Sequence, residues 1–356
     1  MNRTVEAIRD LTSAVGRPIR LMEVCGTHTV AIFRHGIRDL LPKEIMLLSG
    51  PGCPVCVTSI RDIDTVIEIS KSSDTIITTF GDMMRVPGDS KNLSQAKAEG
   101  ADIRIVYSPL DALKLAETNP DKKIVFFATG FETTSPLVAC TLAEADARKI
   151  ANFYIYSVHK TVPPALKGLL NAPDVRIDGF ILPGHVTTII GLKPYEFLSR
   201  DYQKPSVVTG FDATDILNSI VMLVRQVAQN EARIENEYAL VVKEEGNPRA
   251  VALLQEFFEP EDAYWRGIGT IPASGLRLRE PYKRRDIRET VAVSVPEGQE
   301  PKACSCGDVL KGIKIPTDCT LFGKACTPEK PVGACMVSTE GSCAAYHKYG
   351  SVRVES

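Results

Sequence analysis

Nowhere in the 356 residues does an unbroken apolar run approach the ~18 residues that a membrane-spanning helix needs. The opening stretch, MNRTVEAIRDLTSAVGRPIR, lacks the apolar core of about 7–15 residues and the small-residue cleavage site of a secretory signal. Excess charge is missing too. Lys and Arg number 42 against 44 Asp and Glu, a net charge of −2, and no basic stripe marks a nucleic-acid surface. Neither GxxxxGK(S/T) nor GxGxxG occurs, so nucleotide binding has no motif support. The CxxxCxxC of radical-SAM enzymes is also absent. These absences point to a soluble, cytoplasmic protein with neither membrane nor nucleic acid as partner, long enough for two to three domains.

Cysteine, in contrast, is present and clustered. Of ten, six fall between Cys304 and Cys343; the others are Cys25, Cys53, Cys56 and Cys140. Cytosolic thiol buffering disfavours a disulfide framework, and clustered cysteines there more often bind metal or carry redox chemistry. Cys140 lies in an Ala-rich helical stretch and is expected in the core.

Up to about residue 210 short apolar runs alternate with amphipathic stretches. Strands are expected at 19–24, 45–49, 75–80, 103–107, 124–128, 153–158, 179–182 and 206–209, with helices at 59–71, 110–117, 136–149 and 164–170 between them. Unalternating β-branched runs are those of parallel strands covered on both faces, and strand–helix alternation builds doubly wound sheets. The expected fold is α/β: two similar doubly wound parallel-sheet domains and a small C-terminal iron–sulfur domain. The boundaries are 1–119, 120–240 and 241–356, with the first break at Asn119-Pro-Asp-Lys. Residues 213–258 read as strongly helical, 277–302 as a charged connector, and the last ~50 as a module too poor in apolar periodicity for a core of its own.

The strand exits carry the chemistry. Ligands of open α/β sheets bind outside the carboxyl ends of the strands. The first exit is Cys25-Gly-Thr-His28; the second is Gly50-Pro-Gly-Cys53-Pro-Val-Cys56. A CxxC can share a metal or close a reversible disulfide. If the first two strands are neighbours, three thiols meet at one crevice as a soft donor set for iron, zinc or copper(I). His28 could lower the Cys25 pKa, act as an acid or base, or supply a fourth ligand. Ordinary small buried residues and a structural zinc remain alternatives, although zinc ligands come as two close pairs and the second is absent. Glu132 and His185 are polar residues at further exits, either acid/base groups or satisfied hydrogen-bonding residues, and Asp82 with Arg85 could hold an anion.

Within the C-terminal group, Cys304, Cys319, Cys326 and Cys343 have 14, 6 and 16 residues between them, with Cys306 and Cys335 interspersed. Zinc ribbons need two CxxC knuckles. Six thiols in a Gly/Pro-rich module fit an iron–sulfur cluster held by four, plus a redox pair. Spacing alone leaves open which four.

Taken together, these motifs resemble the HypD family of hydrogenase maturation factors over essentially the whole chain, including Phe127-Ala-Thr-Gly-Phe-Glu-Thr-Thr-Ser, Pro183-Gly-His185 and Trp265-Arg-Gly. The resemblance implies a [4Fe-4S] cluster on Cys304, Cys319, Cys326 and Cys343, leaving Cys306 and Cys335 as a redox pair. It implies a scaffold on which the Fe(CN)2CO unit of [NiFe]-hydrogenases is assembled, the iron held by Cys25, Cys53 or Cys56. Implied partners are a HypC-type chaperone sharing the iron, a HypE-type cyanide donor and, indirectly, the hydrogenase large-subunit precursor. The competing reading is a stand-alone iron–sulfur thiol–disulfide reductase turning over Cys53 and Cys56; a zinc-stabilised interaction module is a third.

Overall fold

The computed structural model describes residues 2–296 and 298–350. All eight expected strands are present: β1 (Ile19–Glu23), β2 (Ile45–Ser49), β3 (Thr75–Thr79), β4 (Ile103–Ile105), β5 (Lys123–Ala128), β6 (Phe153–Ser157), β7 (Gly179–Pro183) and β8 (Ser206–Thr209). They form two parallel sheets, each covered by helices, as the unalternating apolar runs require.

The pairing departs from a break at 119/120. One sheet runs β2-β1-β7-β8-β9, with β9 at Ile234–Asn236, and the other runs β4-β3-β5-β6. The chain lays two strands in sheet A, builds all of sheet B, and returns to sheet A through the helix Val162–Leu170. Sheet B is an insertion, not a second half. Short buried strands read alike whichever neighbour they take, which is why periodicity misplaced the boundary.

Alternate residues of sheet A face opposite layers. Leu21, Leu47, Ile181 and Val207 pack against the helices Asn2–Val15 and Ala213–Gln229. Met22, Leu48, Phe180 and Val208 face the helix Val162–Leu170 and the cysteines of the C-terminal module. In sheet B, Ile77, Val125 and Phe127 cover the helix Ile60–Ile69, while Ile124, Phe126 and Ile155 face Pro109–Thr118 and Ser135–Ala147. Each large side chain buried this way contributes about 2 kcal/mol. Ser59 starts the helix after the CxxC by accepting the Asp62 N–H at 3.0 Å. Among the described residues no helix is long and apolar enough to cross a membrane.

Two further expectations are corrected, and one element lies where none was expected. The helical run from 213 ends at Gln229, where Asn230 takes a left-handed conformation, and helix resumes only at Pro248–Phe257. Residues 258–278 form an antiparallel hairpin, β10 (Phe258–Trp265) and β11 (Gly269–Leu278). Cys140 is exposed on its helix rather than buried in the core.

The C-terminal module docks on both sheet domains. Its helix Ser342–Tyr349 sets Tyr346 edge-on to Phe33, with the Arg38 guanidinium over both rings. Asp82 accepts the Ser338 hydroxyl at 2.8 Å, and Arg85 donates to the Pro328 and Val337 carbonyls. Asp82 and Arg85 are therefore clamps for the module rather than an anion site. At the hairpin loop, Gly267 and Gly307 touch backbone to backbone, and a β-carbon on Gly307 would stand 2.1 Å from the Gly267 carbonyl oxygen.

Gly307→Ala is accordingly expected to lose about 2 kcal/mol or more, with the module opening first. Urea denaturation gives the magnitude. Proteolysis should cut the connector before the sheets, and an unchanged cleavage pattern would refute the docking role.

Candidate functional site

The strand ends of both sheets open onto one cleft of about 320 Å³. Cys25 enters it from β1, Gly52 from β2, Phe80 from β3, Thr129 from β5, His185 from β7, and Glu340 from the C-terminal module. β1 and β2 pair in register, Glu23 opposite Ser49, so their exits lie side by side. The Gly26 N–H donates to the Gly52 carbonyl at 3.1 Å. A β-carbon on Gly52 would lie 2.5 Å from the Cys25 α-carbon, so only glycine lets the two loops meet.

Cys25 is the N-cap of the helix Gly26–Arg34. Burial pushes its thiol up to about 12, and the Glu340 carboxylate adds to this, against the Thr27 hydroxyl and the backbone N–H groups of His28 and Thr27. A cation at this sulfur takes the place of the proton. Behind the thiol, Glu23 is fully buried, accepting the Thr29 hydroxyl at 2.6 Å and the Cys25 N–H at 3.4 Å; burial raises its carboxyl to about 7. Thr27 donates to Glu340 at 2.8 Å, and a β-carbon on Gly26 would strike Glu340. The module's Glu340 therefore closes one wall of the site.

Cys53 and Cys56 sit on the neighbouring exit but do not line the cleft. Both are buried, with the Cys53 sulfur accepting the Cys56 N–H at 3.3 Å. The Cys56 thiol meets that of Cys335, Cys335 meets Cys306, and Cys306 meets Cys304. A continuous file of sulfurs thus leads from the CxxC into the module. Burial holds Cys56 well above the ordinary thiol range. The expected meeting of three thiols in one crevice is realised only as adjacency of loops.

All six C-terminal cysteines line one small pocket, walled by Leu321, Phe322 and Met336. The Val332 N–H donates to the Cys326 sulfur at 3.3 Å. Among the described residues no three Cys, His, Asp or Glu side chains form a preassembled metal cage; Cys304, Cys306 and Cys335 meet in file, while Cys319, Cys326 and Cys343 complete the lining. By donor chemistry the pocket fits an iron–sulfur cluster: thiolates, apolar walls and an N–H aimed at sulfur. Four of the six would hold it.

The histidines differ from expectation. His28 is fully buried, and its ring is taken up by Gly210 and Phe211. Its Nε2–H donates to the Gly210 carbonyl at 3.0 Å, and the ring stacks on Phe211 at 4.6 Å. That bond fixes the tautomer and leaves Nδ1 buried without a partner; burial lowers the imidazole to about 4. His185 stacks on the opposite side of Phe211 at 3.9 Å and faces the cleft. Phe211 thus links both rings, a role that its exit, Gly210-Phe-Asp, gave no signal to find. Glu340 was equally invisible in the sequence. Glu132 is buried, facing away from the cleft, with Oε1 accepting the Val162 N–H at 2.9 Å and Oε2 unpartnered.

Comparison with known proteins matches residues 1–350 to the family model described as HypD, hydrogenase formation hypA family. The chain is 49% identical over 343 residues to the hydrogenase maturation factor HypD of Rhodobacter capsulatus, covering 95% of this chain and 91% of that one. It is 47% identical to the HypD of Rhizobium leguminosarum bv. viciae, covering 95% and 90%. With the HypD of Escherichia coli K12 the identity is 46% over 345 residues, covering 97% and 92%.

Burial raises the Glu132 carboxyl from 4.5 to about 7. The folded protein keeps a proton there that the unfolded chain releases, so this contribution is full below pH 4.5 and lost as pH rises through 7. Glu132→Gln retains an oxygen for the Val162 N–H and cannot ionise. Relative to wild type it should gain about 3 kcal/mol between pH 4.5 and 7.5. Urea denaturation at the two pH values measures this, and a difference independent of pH would contradict it.

Proposed function

Because the chain belongs to the HypD family of hydrogenase maturation factors, we propose that it is the scaffold on which the Fe(CN)2CO unit of [NiFe]-hydrogenases is assembled. Iron is the cargo, and Cys25 is its thiolate. Cys25 is the cysteine that reaches the cleft, where Val24, Val55, Phe131 and Val186 give an apolar surround. Thiolate is a soft donor suited to iron carrying strong-field diatomic ligands. A HypC-type chaperone would share the iron across the open side, and a HypE-type donor would bring cyanide to the same mouth.

The file of thiols carries this reading. Cys304, Cys319, Cys326 and Cys343 would hold a [4Fe-4S] cluster, which supplies single electrons when bound. Cys306 and Cys335 then stand between that site and Cys56 as a dithiol. The Cys335 thiolate attacks the Cys56 sulfur of a Cys53–Cys56 disulfide, and Cys53 leaves as thiolate. Cys306 next attacks Cys335, releasing Cys56. Two electrons pass from the Cys306/Cys335 pair to the Cys53/Cys56 pair, and two protons follow. The burial of Cys53 and Cys56 weighs against the alternative of a stand-alone reductase, since a foreign disulfide has no path to their sulfurs.

Cys25→Ala is expected to retain the iron, sulfide and visible absorption of anaerobically purified protein, while abolishing hydrogenase maturation and the cyanide and CO infrared bands of protein isolated with its partners. A variant that still matures hydrogenase would remove Cys25 as iron ligand.

The relay is tested by trapping. Cys53→Ser combined with Cys306→Ser leaves Cys56 and Cys335 without resolving thiols, so mild oxidation should join these two. Peptide mass spectrometry detects the link. Recovery of both residues as free thiols after oxidation would overturn the exchange route.

A further inference from the structure

The loop of the β10–β11 hairpin lies between the CxxC segment and the 304–307 loop, and it carries one buried guanidinium. Arg266 is 3% exposed. Its backbone N–H donates at 2.9 Å to the Val57 carbonyl, at the end of the short helix Pro54–Val57 that Cys53 caps. One terminal nitrogen donates to the Pro87 carbonyl at 2.8 Å, and Nε donates to Glu300 at 3.3 Å. The other terminal nitrogen, Nη2, is buried and has no partner. An orphaned buried donor costs the full desolvation of that group, the more so on a charged one, and calls for an explanation.

The adjacent backbone supplies it. Gly267 packs directly on Cys306-Gly307, with its missing β-carbon 2.7 Å from the Gly307 α-carbon and 3.8 Å from the Cys306 carbonyl carbon. Arg266 is thus held against the 300–307 segment at both ends, by Nε on Glu300 and by Gly267 on Gly307, and the Cys304 N–H turns back onto the Pro301 carbonyl at 2.8 Å between them. Its carboxylate neighbours are Glu300, whose side chain is 35% exposed and screened by water, and Asp64 farther off on the helix Ile60–Ile69.

We infer that Arg266 sets the reduction potential of the centre held by Cys304 and its neighbours, Nη2 serving as donor to the negative charge that collects there. The inference rests on the cluster reading above. A fixed buried cation stabilises whichever redox state is more negative, so it raises the potential. Arg266 acts through the centre's electrostatics without touching the iron cargo.

The test uses full-length protein purified anaerobically. Iron and sulfide are counted first, then the midpoint potential is read by mediated titration. Arg266→Gln should move the one-electron equilibrium about tenfold toward the oxidised state, about 59 mV lower for n = 1. Arg266→Lys keeps the charge and should stay within about threefold of wild type. Glu300→Gln removes the counter-charge and should shift the equilibrium the other way, by about threefold. An Arg266→Gln protein with full iron and an unmoved potential overturns the inference. If that variant does not fold, an unmoved potential in Glu300→Gln does so. Wild-type protein that takes up no iron and sulfide would instead overturn the cluster reading, and this inference with it.

Discussion

Three pieces of chain must approach one another more closely than ordinary side chains permit, and the site depends on that approach. The Cys25 loop reaches Gly52 backbone to backbone, Gly26 lies against Glu340, and Gly307 lies against Gly267. A single β-carbon at any of these would force main chain apart by an ångström or more in a close-packed interior. The sulfur contacts from Cys56 to Cys304 cross the same seams. Separation of the module from the sheets would break the thiol file and remove the Glu340 wall of the cleft together.

Those seams divide the work between two kinds of environment. Cys25 stands where solvent and partners can enter, at a helix N-terminus whose N–H groups favour an anion. Cys53, Cys56 and Cys335 are buried, out of reach of thiols in solvent. A thiol lining the cleft and a buried file of thiols therefore lie on adjacent strand exits.

Much of this was legible in the sequence, and the remainder has identifiable reasons. All eight core strands announced themselves because a strand buried on both faces has no polar interruption. The order in which they pair did not, since nothing in Ile19–Glu23 distinguishes β2 from β7 as a neighbour, and it has both. The hairpin was missed because Phe258-Glu-Pro-Glu-Asp-Ala-Tyr-Trp265 carries three carboxylates and a proline in eight residues, a composition that argues against strand. Cys25, the CxxC and the six late cysteines were visible as thiols, but which of them touch was a property of the docked module. Glu340 and Phe211 gave no signal on their own, and Arg266 only as part of the Trp265-Arg-Gly motif, because each acts through residues far from it along the chain.

Sheet B is contiguous, from β3 to β6, and can assemble as soon as residue 157 has been synthesised. Sheet A cannot. Its first two strands are made early, yet β1 has no partner on its other side until β7 arrives more than 150 residues later. During that interval the Cys25 and CxxC loops are attached to a two-stranded ribbon, a form with little stability of its own. The nascent chain therefore carries its three N-terminal thiols unburied until the sheet closes, and the cysteine-rich module, made later still, covers Cys53 and Cys56 and leaves Cys25 in the cleft.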